Sequence, residues 1–407
     1  MLELPVPVRV VHLVTSLNGG AGIAANRLAK LQNISGTTAV VLGPKSAGQR
    51  TLLSIFSKIV TFTQMKIATR EYEIVTPVSL ATLKIKEVDS YRPDLIHIHN
   101  WYNLLNESLI LELSKKYPLV FTLHDQRLFT GGCHNSFACE GFKVGCSTCP
   151  ATKVLDGLIE KSFSRLTNCI RKIERYALVA PSQWILHSAL ESGQFPNATS
   201  VSHIPNILEL PKIDIDLTPM NESCLKILFV SAQLDIHIKG LDLLIASLEG
   251  LSTDHGTSSP AFHLTVIGDS SKDYAGQFGK LEVSQLPRLD SAGIETQMRL
   301  NDLLVVPSLS ENSPNVVGEA QLSGLIVAAA NVGGVPELID DKQTGFLFSP
   351  SIDDIKRTIL EFVKLDQDEM NAIRTKAHLT ALERYDSVRI LNLTNRIYQE
   401  LLDQNSA

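Results

Sequence analysis

Short apolar runs rich in β-branched residues alternate with longer amphipathic stretches along the first half of this chain. The runs occupy residues 8–15, 38–43, 94–100, 118–125 and 177–182. Runs of this kind are typical of buried strands, and the stretches between them are long enough for helices. A strand, a crossover helix and a further strand form the repeating unit of parallel sheets. The alternation therefore predicts an α/β domain with a doubly wound parallel sheet.

The alternation stops at residues 206–223, which contain two prolines and several acidic residues without a clear period, as interdomain linkers do. It starts again with apolar runs at 225–232, 263–270, 302–308 and 324–330, and the pattern from about residue 351 onward is helical. A chain of 407 residues is long enough for two domains of this size. The sequence therefore predicts a second parallel sheet.

We expect a Rossmann-like domain at 1–208 with a Cys-rich insert at 127–150, a linker at 209–223, and a ligand-binding C-terminal domain at 224–384. A final helix at 385–407 is expected to pack back on the first domain. Two doubly wound domains facing each other across a cleft bind ligands at the carboxyl ends of their strands. Residues that follow strands are therefore the first candidates for a functional site.

Composition narrows the class of protein. Hydrophobic residues make up 44% of the chain and charged residues 20%, which is typical of folded globular proteins. The net charge is -6 and there is no long basic run, so nucleic acid is not an expected partner. The N-terminus lacks the pattern of a signal peptide, and no apolar run is long enough to span a bilayer, which predicts a cytoplasmic protein.

The most informative motif lies at residues 307–337, where a predicted strand end leads into a loop and a helix. Glu311 lies in the loop and Glu319 in the helix. Backbone N–H groups near a helix start suit an anionic or hydroxyl-rich ligand, and carboxylates accept hydrogen bonds from sugar hydroxyls. Either glutamate alone would more simply be a solvated residue near a helix start. The surrounding residues favour the functional interpretation.

This segment resembles family 4 of the retaining glycosyltransferases, which carry PS, E-x7-E, EA, a glycine, a small-residue strand and GG-x-x-E in this order. The matching residues here are Pro307, Ser308, Glu311, Glu319, Ala320, Gly324, Gly333, Gly334 and Glu337. The resemblance implies the GT-B fold, two Rossmann-like domains facing across a cleft. It also implies that Glu311 holds the donor sugar together with backbone groups of Ser313, Asn315 and Val316. Glu319 would bind the ribose hydroxyls.

A second match is the turn Lys239-Gly240, which follows the predicted strand at 225–232. In the family this loop supplies an Arg and a Lys to the leaving diphosphate, and here Ala232 or Gln233 holds the position of the Arg. One charge-assisted contact to a developing dianion is worth on the order of 2 to 3 kcal/mol. We therefore expect slow transfer, or another residue in place of the Arg. Ile326 also departs from the family, which usually has Pro there.

Two further loops follow strands of the first domain. Gly19, Gly20 and Gly22 allow close backbone approach, which is common wherever a strand meets a helix tightly. The resemblance implies that Gly19 and Gly20 face the donor phosphates. His124 and Asp125 end the run at 118–125, and the resemblance places such a His against the donor sugar and phosphate. His97 and His99 alternate on a strand that looks buried, and we interpret them as structural.

Cysteines cluster in the insert, at Cys133, Cys139, Cys146 and Cys149. In a chain without a secretion signal, such clusters more often bind metal than form disulfides, and four thiolates suit a tetrahedral structural zinc. Free thiols or a redox-labile pair are the alternatives, and His134 could replace one ligand. A similar insert occurs in a subgroup of family 4 acting in bacterial exopolysaccharide or colanic-acid assembly. It would lie on the acceptor side.

A helix predicted at 153–179 has an apolar stripe and a basic remainder, with Lys161, Arg165, Arg171, Lys172 and Arg175. The basic residues are most simply a solvated face. Docking on an anionic membrane surface is the alternative, and it would suit a lipid-linked acceptor at the inner membrane face.

Taken together, the resemblance implies a hexosyltransferase that moves a sugar from a UDP- or GDP-sugar to a hydroxyl of a glycan or lipid-linked saccharide, with retention. His124, Glu311 and Lys239 would be the catalytic residues, and no metal or other cofactor is expected to be required for transfer. Two alternatives stay open, a sugar-nucleotide epimerase and a non-catalytic sugar-nucleotide-binding subunit.

Overall fold

The computed structural model describes residues 8–44, 52–69, 75–152, 156–210, 215, 223–253 and 260–403. The chain divides into two compact units, 1–207 with 386–407, and 208–385. Within the described residues, no helix is both long enough and apolar enough to cross a membrane.

The first unit is built on a parallel sheet of six short strands, of which the four inner ones are almost fully buried. Its strands are β1 (Arg9–Leu13), β2 (Thr38–Leu42), β3 (Leu95–Ile98), β4 (Leu119–Thr122), β5 (Tyr176–Ala180) and β6 (Ser200–His203). Its helices are α1 (Gly20–Ile34), α2 (Leu52–Ile67), α3 (Ile85–Asp89), α4 (Glu107–Ser114), α5 (Asp156–Ile170) and α6 (Gln183–Glu191). The strand order is β2-β1-β3-β4-β5-β6, so the direction of winding reverses between β1 and β3.

The second unit repeats this design. Its strands are β7 (Cys224–Gln233), β8 (Ala261–Asp269), β9 (Gly276–Phe278), β10 (Leu281–Leu286), β11 (Leu303–Val306), β12 (Ile326–Ala330) and β13 (Phe346–Phe348). Its helices are α7 (Leu241–Thr253), α8 (Ser291–Leu300), α9 (Asn315–Leu322), α10 (Ile352–Val363) and α11 (Gln367–Arg384). The order is β13-β12-β11-β7-β8-β10-β9, with only β9 antiparallel among the described strands, and the winding reverses between β7 and β11.

The last helix, α12 (Ser387–Asp403), belongs to the first unit. Its buried residues Ile390, Ile397 and Leu401 pack in one cluster with Val10 of β1 and Val120 of β4. A purely parallel sheet must be covered on both faces, and α12 covers part of one. The predicted α/β class with two doubly wound parallel sheets is confirmed.

Candidate functional site

In the second unit, two strand-end loops meet at the point where the winding of the sheet reverses. Lys239 and Gly240 follow β7, and Pro307 to Pro314 follow β11, the neighbouring strand. The backbone N–H of Leu309 donates to the carbonyl of Ile238 at 2.8 Å and joins the two loops. Open α/β sheets bind their ligands at such a switch point, outside the carboxyl ends of the strands.

Glu311 is held at this edge by two hydrogen bonds to the same carboxylate oxygen. The Lys239 ammonium donates to Oε1 of Glu311 at 2.5 Å, and the Ser308 hydroxyl donates to the same atom at 3.0 Å. Glu311 is the less exposed partner of the ion pair, and Lys239 is about one-third exposed. The predicted residues Lys239 and Glu311 are therefore adjacent. Ser308 was matched to the family motif, but its contact with Glu311 was not anticipated.

Two glycines with positive φ hold the Glu311 loop from opposite sides. A Cβ at Gly240 (φ +72°) would lie 2.0 Å from the carbonyl oxygen of Pro307, and one at Gly333 (φ +56°) 1.8 Å from that of Glu311. The N–H of Gly334 also donates to the Glu311 carbonyl at 3.1 Å. Only glycine permits this approach of one backbone to another, so the two turns fix the position of Glu311.

We expect Gly333→Ala to lower the free energy of unfolding by roughly 3 kcal/mol or more. Alanine is strained in the left-handed conformation, and its Cβ would also displace the Glu311 carbonyl. Gly279→Ala is the matched control, since Gly279 has φ +63° in the same unit and its Cβ would come no closer than 3.2 Å to Ser252 Oγ. That control should lose only about 1 to 2 kcal/mol. Calorimetric unfolding of both variants measures the difference; equal losses would contradict the tight packing of Gly333 on Glu311.

The helix α9 starts directly after this loop. Pro314 occupies the capping position before its first turn, and its side chain accepts no hydrogen bond from that turn. The helix therefore presents backbone N–H groups at this end. Ser313, Asn315 and Val316 are half-buried around the helix start, and Glu319 is half-buried one turn further on. The structure thus brings the predicted binding residues of this unit onto one loop and the helix that follows it.

In the first unit, a chain of hydrogen-bonded histidines runs through the sheet to the end of β4. His12 on β1 lies beside His97 on β3 in the strand register, and His99 follows two residues later. Nδ1 of His12 lies 3.0 Å from Nε2 of His99, and Nδ1 of His99 lies 3.0 Å from Nε2 of His124. His99 therefore connects the sheet interior to the predicted site residue His124.

Gln32 and Tyr398 close the buried end of this chain. Gln32 donates through Nε2 to the Tyr398 hydroxyl at 3.2 Å, and its Oε1 lies 2.8 Å from Nε2 of His12. Burial lowers the pKa of His12 to about 4 and holds the pKa of His99 well below its usual value, so both rings are neutral near pH 7.

The amide of Gln32 fixes the tautomer of each ring in turn. Its oxygen accepts from Nε2–H of His12, so Nδ1 of that neutral ring must accept from Nε2–H of His99. Nδ1 of His99 must then accept from Nε2–H of His124. Burial also lowers the pKa of His124 to about 4, against an opposing effect of Asp125. His124 is therefore a neutral imidazole with its proton on Nε2.

His12, His97 and His99 also offer ring nitrogens within 4.8 Å of one another, close enough to hold a metal ion. Each of their six nitrogens already has a hydrogen-bond partner, because His97 contacts the Tyr398 hydroxyl at 2.7 Å and the Thr122 hydroxyl at 2.6 Å. Burial, with the nearby rings, keeps the pKa of His97 well below its usual value. The arrangement suits a neutral polar network better than a metal site.

Asp125 is held by hydrogen bonds to other residues of the first unit. It accepts from the backbone N–H of Arg127 at 2.9 Å and pairs with Nδ1 of His134 at 2.8 Å. Burial alone would raise the pKa of Asp125, but His134, the Arg127 N–H and His124 outweigh burial and lower it. His99, His124 and Asp125 border a small pocket that is partly open to solvent, and Trp101 lies on its wall.

The glycine loop after β1 has a specific packing reason. Gly19 precedes α1 and Gly20 begins it. A Cβ at Gly22 would lie 2.0 Å from the Ser16 carbonyl oxygen, whereas one at Gly20 would meet nothing within 4 Å. Gly22 is therefore required by the turn itself, while the binding role of Gly19 and Gly20 stays a prediction.

The four cysteines of the insert all contact one hydrophobic cluster, with Cys133 and Cys146 buried. Cys133 and Cys149 share a side-chain hydrogen bond, which raises the pKa of the Cys133 thiol and lowers that of Cys149 to about 7. In the described part of the chain, however, no three of these thiols lie mutually within 4.8 Å. Four bonds of about 2.3 Å to a zinc would need closer sulfurs. The thiols would have to move to close a zinc site, which stays a prediction.

The predicted basic helix is shorter than expected. It ends as α5 at Ile170, because residues 176–180 form β5. Its apolar residues Ile159, Leu166 and Ile170 are buried in the core of the first unit. The apolar stripe of α5 is therefore occupied by the protein itself, and membrane docking through this stripe is not possible without unpacking it.

Comparison with known proteins gives this geometry a context. The sequence profile of the family described as "Glycosyl transferases group 1" matches residues 221–379, which cover most of the second unit. A 41.2 kDa protein in the cps region of Klebsiella pneumoniae is 25% identical over 348 residues, covering 83% of this chain and 85% of that protein. The putative colanic acid biosynthesis glycosyl transferase WcaC of Escherichia coli K12 is 25% identical over 300 residues, 68% of each chain.

The phosphatidylinositol N-acetylglucosaminyltransferase gpi3 subunit of Schizosaccharomyces pombe is 26% identical over 217 residues. That match covers 52% of this chain and about half, 46%, of the gpi3 subunit.

Solved structures extend the likeness over the whole chain. Sucrose-phosphate synthase from Thermosynechococcus elongatus has a TM-score of 0.69 at 14% identity and covers 98% of this chain and 100% of its own. Anabaena Alr3699/HepE, solved in complex with UDP and glucose, has a TM-score of 0.59 at 18% identity, with 96% and 99% covered. The fold is GT-B. The glycosyltransferase class rests on the profile match to the second unit and on the curated relatives.

Proposed function

We propose that this glycosyltransferase transfers a sugar from a nucleoside diphosphate sugar to a hydroxyl of a growing glycan or a lipid-linked saccharide. The observation that carries the proposal is the Lys239–Glu311 pair, an ammonium and a carboxylate 2.5 Å apart at the switch point of a Rossmann-like sheet. An ammonium suits diphosphate oxygens, and a carboxylate suits sugar hydroxyls. Family 4 membership and a retaining outcome are part of this proposal.

In the proposed reaction, the bond from the anomeric carbon to the leaving phosphate oxygen breaks and a bond to the acceptor oxygen forms on the same face. The acceptor proton goes to the leaving phosphate. Lys239 stabilises the charge that develops on that phosphate, and Glu311 orients the sugar through its hydroxyls. The α9 start, with Ser313, Asn315 and Val316, supplies backbone donors, and Glu319 binds the ribose.

The sequence resemblance assigns substrate binding in the first unit to His124, Asp125, Gly19 and Gly20, and this assignment is part of the proposal. Because His124 is neutral near pH 7 and donates its Nε2–H to His99, its Nδ1 can accept from a sugar hydroxyl, but the ring brings no full charge to a phosphate. No Arg occupies the end of β7, where Ala232 and Gln233 are both exposed. The cationic contribution at this edge therefore depends on Lys239.

The acceptor class rests on the relatives. One is named for colanic acid biosynthesis and another for a cps region, which supports a role in bacterial cell-surface polysaccharide assembly. The Anabaena structure holds UDP and glucose, so UDP-sugars are the first donors to test, and GDP-sugars the second. We also propose that the protein acts at the cytoplasmic face of the membrane.

The test is an assay with a panel of UDP- and GDP-sugars, each with and without glycan and lipid-linked acceptors from a polysaccharide-producing bacterium. We expect an acceptor-dependent product whose new linkage keeps the anomeric configuration of the donor, as read by NMR. An epimerised sugar formed without acceptor would replace this proposal with an isomerase. Binding of donor without any turnover across the panel would favour a non-catalytic subunit.

A further inference from the structure

Helix α2 presents an apolar face to solvent. Phe56 is 56% exposed, Ile59 56% and Phe62 62%, and Leu52 and Ile55 are also exposed. With a repeat of 3.6 residues per turn, these five positions lie on one side of the helix. A contiguous exposed apolar patch of this kind is unusual on a protein that has no partner for it.

The opposite side of α2 is polar and faces the protein. Ser57 is 2% exposed and Gln64 6%. The Thr61 hydroxyl donates to Oδ1 of Asn103 at 2.6 Å, and Gln64 both accepts from the N–H of Val78 at 2.7 Å and donates to its carbonyl at 3.1 Å.

An amphipathic helix on a globular protein normally buries its apolar side. Here the orientation is reversed, and side-chain hydrogen bonds hold it in that orientation. Loss of these bonds is the cost of turning the apolar face inward, so the exposed face is a stable feature of the fold.

The charge of this segment has one sign. Lys58 and Lys66 on α2 are exposed, and the ammonium of Lys66 lies 5.4 Å from the centre of the Phe62 ring. From Lys45 to Arg70 the sequence contains five basic residues and no acidic residue, although the whole chain has a net charge of -6. A basic helix with exposed aromatic and branched apolar residues has the composition of helices that lie in the interface of anionic membranes.

We propose that α2 is a membrane-docking helix that inserts its apolar face among the acyl chains of an anionic lipid surface. The lysines then remain at the level of the headgroups, where long basic side chains extend toward phosphate. This surface replaces α5, whose apolar stripe is buried. It stands on the residues of α2 alone and does not depend on the proposed sugar transfer.

A second copy of this chain is a weaker occupant. Two α2 faces packed about a two-fold axis would bring Lys58 and Lys66 toward their own counterparts, and the helix has no acidic residue to pair with them. Anionic lipid supplies that missing negative charge as well as the apolar surroundings.

The experiment is flotation of the full-length protein with vesicles of phosphatidylcholine alone or with about one-third phosphatidylglycerol. We expect partitioning into the anionic vesicles at least about tenfold stronger than into neutral ones, since each basic residue near the surface contributes to attraction. The combined variant Phe56→Ser, Ile59→Ser, Phe62→Ser should lower partitioning by about tenfold or more, because the apolar area that inserts is lost.

Leu190→Ser is the matched control, because Leu190 is an exposed leucine on α6 of the same unit, and it should partition as the unchanged protein does. Tryptophan fluorescence during thermal unfolding verifies that each variant folds, and Lys58→Gln with Lys66→Gln provides a second variant that should lose the preference for anionic vesicles. No partitioning of the unchanged protein into anionic vesicles would overturn the proposal. So would a dimer in solution that the serine variant converts to a monomer.

Discussion

Glu311→Gln is expected to lower kcat/KM for sugar transfer by about a hundredfold to a thousandfold, the range seen when one polar group that stabilises a transition state is removed. The substitution keeps the size of the side chain but removes the charge that pairs with Lys239 at 2.5 Å and accepts from Ser308 at 3.0 Å. A neutral amide also holds sugar hydroxyls less strongly than a carboxylate. Steady-state kinetics with the best donor measures the loss.

The matched control for this prediction is Glu295→Gln. Glu295 lies in the same unit and pairs with Arg299 at 3.2 Å one helical turn away. A half-buried pair at i, i+4 within one helix contributes about 0.5 kcal/mol, so the control should fold and turn over normally. If Glu311→Gln kept more than about one-third of the activity, Glu311 would not have the proposed role.

The second large effect concerns acid. The histidine chain is expected to make the first unit unstable below about pH 6, because folded His12 and His124 have pKa values of about 4 against an ordinary value of 6.5. Between pH 6.5 and pH 4 these histidines bind protons in the unfolded chain but not in the folded one. The free energy of unfolding therefore has its full value above pH 6.5 and decreases as the pH falls toward 4. At pH 5 each of these two residues costs about 2 kcal/mol. His97 and His99, shifted in the same direction, add to the loss.

Urea unfolding at pH 7 and pH 5, followed by tryptophan fluorescence, measures this effect, since both tryptophans of the chain, Trp101 and Trp184, lie in the first unit. The free energy of unfolding should differ between pH 7 and pH 5 by about 2 kcal/mol less in His12→Asn than in the unchanged protein, whatever the substitution itself costs in stability. His187→Gln, at an exposed position on α6, should leave the difference unchanged. Equal stability at the two pH values would mean that the histidines are not held neutral by burial.

The strands that the sequence predicted are those with long apolar runs. β1, β5 and β12, for example, are buried over most of their length, so hydrophobicity alone marks them. β6, β9 and β13 were missed because their three or four residues do not belong to a longer apolar run, and β10 was missed because Glu282, Ser284 and Gln285 interrupt its apolar pattern. β6, β10 and β13 pair with parallel strands that lie earlier in the chain, whereas β9 pairs with the adjacent β10.

The candidate site could also be predicted only in part from the sequence. Lys239 and Glu311 each follow an apolar strand, so their place at the sheet edge could be predicted, but the ion pair depends on β7 and β11 being neighbours. His12 and Gln32 were overlooked because the chain connecting them to His124 arises from strand register and from helix packing. A polar residue within an apolar run is a signal for such a network, and His12 in β1 carries that signal.

Two sequence patterns did not specify where their side chains lie. The cysteine spacing suggested convergence that the described thiols do not reach, because spacing does not specify where a loop directs its side chains. The apolar residues of α2 look like an ordinary core face in the sequence. In the structure, Thr61 and Gln64 on the opposite side of the helix form hydrogen bonds to the protein, so the apolar face points outward.

The central claim is that the second unit binds a nucleotide sugar through Lys239 and Glu311, and calorimetric titration of the full chain with UDP-, GDP- and ADP-sugars tests it most directly. We predict that one nucleotide sugar binds with a stoichiometry near one, and that Lys239→Met weakens it by about tenfold or more, the equivalent of one charge-assisted contact. No binding across the panel, or unchanged affinity in Lys239→Met, would contradict the claim.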